Sequence, residues 1–272
     1  MSTNPLRRAA DRTAAEADRL SAAFGRQVSR VLREADSRVR DWLRDHRGRK
    51  VSPRMRRQVR EALRVAGFDA LAEAATAGPF DEIEARMLAA RATVGGVLAD
   101  SQAARARLEA LRLWHLDDLL DEGTVLTRVI GDVLVRGQGG AARRLPQELD
   151  KVLQHADARL QTLYDTALSI YGRQVEAEHA GDDATTVFAY MGPVDQKTRD
   201  FCLDHVGKVY MRSEIDALDN GQLSNVFLTG GGYNCRHVWH EVSNFSELQD
   251  LQGTDQRAPE IQEAVDEVMV AA

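Results

Sequence analysis

The chain has 272 residues, 43% hydrophobic and 29% charged, enough apolar side chain for a buried core and enough charge for a solvated surface. This composition excludes a disordered tail and a collagen-like rod, and with only 2 Cys it excludes a disulfide scaffold. The net charge of -6 conceals a split: residues 1–70 carry 18 basic and 9 acidic side chains, and the remainder 18 basic and 33 acidic.

An asymmetry of that size speaks of partners rather than of fold. The length predicts about two domains. No run of ~18 apolar residues occurs, so no membrane span is expected. No apolar leader follows Arg7 and Arg8, and the reading expects a soluble chain made in the cytoplasm.

Leu20, Phe24, Val28, Val31, Leu32, Val39, Trp42 and Leu43 recur mostly at three- and four-residue steps, which predicts one long helix from about Pro5 to Asp45. Ser52-Pro53 is a helix start, and Met55, Val59, Leu63 and Ala66 form its stripe up to the break at Ala77-Gly78-Pro79. A long pattern follows from Ile83 to Leu119. Gly123 is expected to end or bend it, leaving Val125 to Leu134 as a short apolar helix. Gly137-Gln138-Gly139-Gly140 reads as a joint; no strand precedes it and no Lys-Ser/Thr follows, so a phosphate loop is not expected. Pro146 opens another helix, with Leu149, Leu160, Leu168, Tyr171 and Val175 on its apolar side.

After Gly181 the texture changes. Thr185 to Tyr190 is β-prone with side chains alternating between two faces, and short strands, turns and a small helix near Glu214–Leu218 follow. The predicted fold is mainly α: a long-helix region over 1–182, a small α+β module over 183–243, and an acidic tail over 244–272 with a short helix from Pro259. A module of that size buries little apolar surface alone, so something must staple it or pack against it.

Both cysteines lie in the module, each beside a histidine: Cys202-Leu-Asp-His205, then Cys235-Arg-His237, with His240 three residues on. Thiolate and imidazole are the ligands zinc prefers, and two short pairs separated by a loop can close around one ion. The two pairs, Cys202 with His205 and Cys235 with His237, are candidate metal ligands by residue type. Buried free thiols and a disulfide are the competing readings. His237 and His240, at odd spacing, fall on opposite faces of a regular strand. A Cys-His nucleophile pair lacks a recognisable orienting residue or oxyanion loop.

The ordered run Tyr190-Met-Gly192-Pro193-Val-Asp195-Gln-Lys-Thr198-Arg199-Asp-Phe-Cys202-Leu-Asp-His205, then Gly207-Lys208-Val-Tyr210, then Gly232-Tyr-Asn234-Cys235-Arg236-His237, preceded by a helix with Leu163, Thr166, Ala167 and Gly172-Arg173, resembles the C-terminal domain of tailed-phage minor head proteins, the head morphogenesis proteins related to the F protein of phage Mu. The resemblance covers roughly residues 160 to 242. Two positions depart from it: His205 stands where a second cysteine is usual, and Gly232-Tyr233 replaces a His-Pro before Asn234.

The resemblance implies a structural virion component rather than an enzyme, present in few copies inside the capsid near the portal vertex and linked to assembly, DNA packaging or delivery. It implies zinc at the knuckle held by Cys202, His205, Cys235 and His237, with His240 as alternate, and Asp195, Thr198, Arg199, Gly207, Lys208, Asn234 and Arg236 as supporting residues. The implied partners are the portal and the major capsid protein, with the oligomer set by the virion vertex.

A metal-dependent nuclease or toxin-like hydrolase on a helical delivery segment is the alternative. The basic stretch Arg47, Arg49, Lys50, Arg54, Arg56 and Arg57 is a candidate contact for packaged DNA, non-specifically, or for an acidic protein surface.

Overall fold

The computed structural model describes residues 5–45, 54–93, 102–136, 145–180 and 183–242. It is mainly helical, with a small three-stranded sheet near the C-terminal end of the described chain. The helices are α1 (Pro5–Asp45), α2 (Arg54–Val65), α3 (Phe68–Thr76), α4 (Gly78–Thr93), α5 (Gln102–Arg136) and α6 (Leu145–His179). The module then runs β1 (Val187–Met191), α7 (Asp200–His205), β2 (Val209–Met211), α8 (Arg212–Asp216), α9 (Val226–Thr229) and β3 (Val238–Glu241). No described helix is long and apolar enough to cross a membrane.

The chain divides into two compact units. One unit comprises residues 20–79 and 112–164; the other comprises 1–19, 80–111 and 165–272. Helices α1, α5 and α6 each contribute a segment to both.

The first unit is held by apolar stripes. Leu20, Phe24, Val28, Val31 and Leu32 of α1 are buried, as are Leu63 and Phe68 and the α5 residues Leu126, Ile130 and Leu134. Each such side chain contributes ~1.5–3 kcal/mol when fully buried. Phe24 stacks on Tyr164 of α6 at 4.0 Å between centroids. Polar residues tie the rims: Arg40 bridges Asp36 and Asp150, Arg56 pairs with Asp132, and Arg159 reaches the buried Glu122.

Gly123 corrects the sequence reading. It neither ends nor divides the helix, and α5 runs unbroken to Arg136. A Cβ at this position would lie 2.5 Å from the Phe68 ring, so the glycine admits the close approach of α3.

In the second unit, the late part of α6 packs on α4, with Phe80 stacked on Tyr171 and the Tyr171 hydroxyl donating to Glu84 at 2.5 Å. The sheet has the order β2-β1-β3, antiparallel throughout, with Phe188 opposite Tyr210 and Tyr190 opposite Trp239. β1 was expected to alternate between faces; as the central strand it is buried on both, from Phe188 through Met191. Phe188, Tyr190, Cys202, Tyr210, Ile215, Phe227, Cys235 and Trp239 form the module's core.

A buried charge network joins this sheet to the helices. Arg91 of α4 pairs with Glu176 of α6 at 3.0 Å and with Glu241 of β3, while the Glu241 amide donates to Glu176 at 3.0 Å. The packing partner that a small module requires is therefore α4 and α6.

Candidate metal centre

Cys202 lies in the first turn of α7, and Cys235 follows the turn closed by the Cys235 amide donating to the Gly232 carbonyl. His237 immediately precedes β3. These elements bring Cys202, Cys235 and His237 into one buried cluster whose ligand atoms all lie within 4.8 Å of one another, a group that can hold a metal ion. The Sγ atoms are 3.7 Å apart, and His237 Nδ1 is 4.0 Å from Cys235 Sγ. Zinc–sulfur bonds of ~2.3 Å in a tetrahedron place two sulfurs ~3.8 Å apart, so the thiols already stand at the separation an ion requires.

Three further observations fit the cluster to a metal. Among the described residues, Nε2 of His237 is buried with no hydrogen-bond partner. A Cβ on Gly231 would lie 2.4 Å from Cys202 Sγ, and one on Gly192 would lie 2.7 Å from the His237 ring, so backbone is drawn tightly against the donors. The Gly231 amide donates to Cys235 Sγ at 3.1 Å, a bond that favours a thiolate. Cys235 is pulled well below the usual thiol range by the bond from Cys202 and by Arg173 and His237; Cys202 is pushed up by the same bond and by burial.

The other two expected ligands are elsewhere. His205 shares α7 with Cys202, but this six-residue helix turns Cys202 to the core and leaves His205 half-buried at its last turn. There its Nδ1 bonds the Tyr210 hydroxyl at 2.6 Å and its ring packs on Phe201. His240 lies on the opposite face of β3, with Nδ1 4.0 Å from Glu176, as odd spacing from His237 requires. Burial holds its imidazole down at about 4 and pushes the Glu176 carboxyl up.

The supporting motif residues converge on the same knuckle. Asp195 accepts from the Lys197 amide at 2.9 Å and from Arg236 at 2.5 Å, and Arg236 holds its carboxyl down at about 2. The Thr198 hydroxyl donates to the Pro193 carbonyl at 3.1 Å, and Arg199 bonds the Gly231 carbonyl at 2.8 Å, bracing the turn that packs on the sulfurs. Gly207 and Lys208 fix the register of Tyr190: the Gly207 amide donates to the Tyr190 carbonyl at 2.8 Å, and the Tyr190 amide donates to that of Lys208 at 3.0 Å. Asn234 adopts φ 57°, and its amide donates to Thr166 of α6 at 3.2 Å.

Two residues of the centre escaped the spacing argument. The Tyr190 hydroxyl lies 3.5 Å from Cys202 Sγ and 3.2 Å from Cys235 Sγ. Arg173, only 2% exposed, donates to the backbone carbonyls of His237, Cys235 and Leu228. A tyrosine in a strand reads as core and an arginine in a helix reads as surface. The adjacent Gly192 and Gly231 were the available signal, since tight backbone beside cysteines marks a crowded site.

Of the basic stretch, Arg47, Arg49 and Lys50 lie outside the described residues, as do residues 244–272 and the joint at 137–140. Arg54 opens α2, Arg56 is paired with Asp132, and Arg57 is exposed. No protein-family model, curated protein or solved structure matches the chain.

Proposed function

We propose that this chain is a structural minor head protein of a tailed phage or prophage, acting in head morphogenesis near the portal and in DNA packaging or delivery. One observation carries the reading: residues ordered along the sequence from Gly192 to His237 meet around a single buried knuckle, with Asp195, Arg199 and Arg236 bracing the turns that bear Cys202 and Cys235. In this reading the ion is zinc, because two thiols and an imidazole form a soft, buried donor set. Its role is to staple a module whose strands have only 5, 3 and 4 residues.

The chain then resides in the virion, inside the capsid or at the portal vertex, after assembly in the host cytoplasm. Its partners are the portal and major capsid protein. The alternative, a metal-dependent nuclease, requires an open coordination position. The donors here are 2%, 4% and 2% exposed, which favours the structural role.

Mass spectrometry of purified procapsids tests the proposal. The chain is expected at a few copies per particle, and its absence from particles would remove the reading. Metal-dependent DNA cleavage by the full chain, lost in Cys235→Ala, would favour the alternative. Salt-dependent gel shifts ask whether exposed arginines such as Arg57 touch DNA; a contact weakens steeply as salt rises.

A further inference from the structure

A closed structural site takes four protein donors, and the cluster so far supplies Cys202, Cys235 and His237. His205 is engaged with Tyr210, and His240 faces Glu176 across the sheet. Among the described residues, the Tyr190 hydroxyl is the further side-chain oxygen that stands against both sulfurs. We infer that Tyr190 is the fourth ligand, binding the ion through its phenolate oxygen; this rests on reading the cluster as a metal centre.

The distances support coordination. Oη and the two sulfurs form a triangle of 3.2, 3.5 and 3.7 Å. Zinc bonds of ~2.0–2.2 Å to oxygen and ~2.3 Å to sulfur give edges of ~3.5 Å and ~3.8 Å in a tetrahedron, so this triangle is one face of such a site. The Tyr190 oxygen stands within 3.5 Å of both sulfurs. Tyr190 is fully buried, and its ring lies nearly parallel to that of His237, with centroids 5.2 Å apart, so both side chains reach the cluster from one side.

Charge balance points the same way. Arg173 is buried, and the described residues offer it backbone carbonyls rather than a carboxylate. A buried guanidinium requires a compensating negative charge nearby. A divalent ion with two thiolates and a neutral imidazole is itself neutral and leaves Arg173 uncompensated; one phenolate brings the assembly to zero. On binding, the O–H bond of Tyr190 breaks, its proton leaves to solvent, and the oxygen lone pair becomes the metal bond.

The test is a titration of the full chain with zinc, read by ultraviolet difference spectroscopy, and with cobalt(II), read in the visible. The wild type is expected to develop a tyrosinate difference band on zinc binding and the intense visible bands of a four-coordinate thiolate-bound cobalt. Tyr190→Phe, which removes a single oxygen, should lose the tyrosinate band, alter the cobalt spectrum and bind at least ~10-fold more weakly. Tyr210→Phe should keep the band.

Affinity alone does not decide, because a hydrogen-bonded phenol also supports a metal. Cobalt bound by the wild type with no tyrosinate band, or with a spectrum unchanged in Tyr190→Phe, would overturn the inference and leave the metal centre standing. No binding by the wild type would overturn both. Should Tyr190→Phe not fold, the presence or absence of the band in the wild type and in Tyr210→Phe still decides.

Discussion

The unit of residues 20–79 and 112–164 and the α+β module reach stability by opposite routes. In the first, buried positions are almost all apolar, and polar groups such as Arg40 with Asp150 or Arg56 with Asp132 sit at the rim. In the module, Tyr190, Cys202, Cys235 and His237 occupy the interior itself, with Arg173 and Glu176 beneath them. Apolar packing distributes stability over many contacts. A buried polar assembly concentrates it, because removing one partner strands the others. The helical unit should therefore tolerate single changes that the module does not.

Arg173→Met is the largest expected break in that symmetry. It strands the backbone carbonyls of His237, Cys235 and Leu228 and removes the buried cation beside the sulfurs. A loss of about 3–5 kcal/mol is expected, read by denaturant unfolding followed at the module's Trp239. A cost under about 1 kcal/mol would mean that the module is not held this way.

Acid places one histidine in each region against the other. Burial holds His115 of α5 and His240 of β3 at about 4, below the ordinary 6.5. Both stay neutral when folded, so the unfolded chain takes up protons first, and stability falls as pH drops from 6.5 toward 4. Each contributes up to about 3 kcal/mol to this loss. Glu176, raised by burial, has the opposite sign: it is protonated more readily in the folded chain, and acid relieves its penalty. Glu176 therefore offsets part of the acid slope in the environment it shares with Arg91 and Glu241, and His115→Gln and His240→Gln should each flatten the acid limb by a similar amount. Denaturant midpoints at several pH values check this.

Gly123→Ala probes the helical unit. Its Cβ would meet the Phe68 ring at 2.5 Å, and the expected cost is about 1–3 kcal/mol, recovered in part by Phe68→Leu. At the bottom of the scale, Arg56→Ala breaks an exposed pair with Asp132 and should change stability by less than about 0.5 kcal/mol.

The same contrast explains what the sequence made legible. Helix α1 was readable to its ends because Leu20 through Leu43 repeat at helical spacing over a long span, and β1 was readable from β-branched and aromatic residues. Gly123 misled because its cost of ~1 kcal/mol within a helix is local, whereas the Phe68 contact that requires it comes from a residue distant in sequence. Cys202, Cys235 and His237 were found by residue type. His205 was assigned with them because helical spacing shows neighbourhood but not which side chain a short helix turns inward.

Tyr190 and Arg173 entered only as parts of the resemblance, and their contacts with the sulfurs and the knuckle carbonyls, like the Arg91–Glu176–Glu241 network, depend on partners distant in sequence. The charge split also has a structural side: Arg40 and Arg56 of the basic first 70 residues pair with Asp150 and Asp132 of the acidic remainder.

Metal content tests the central claim most directly. Elemental analysis of the full chain, purified without chelator, should find about one zinc per chain, lost in Cys235→Ala. A clearly substoichiometric value in the wild type, or an unchanged value in the variant, would contradict the account.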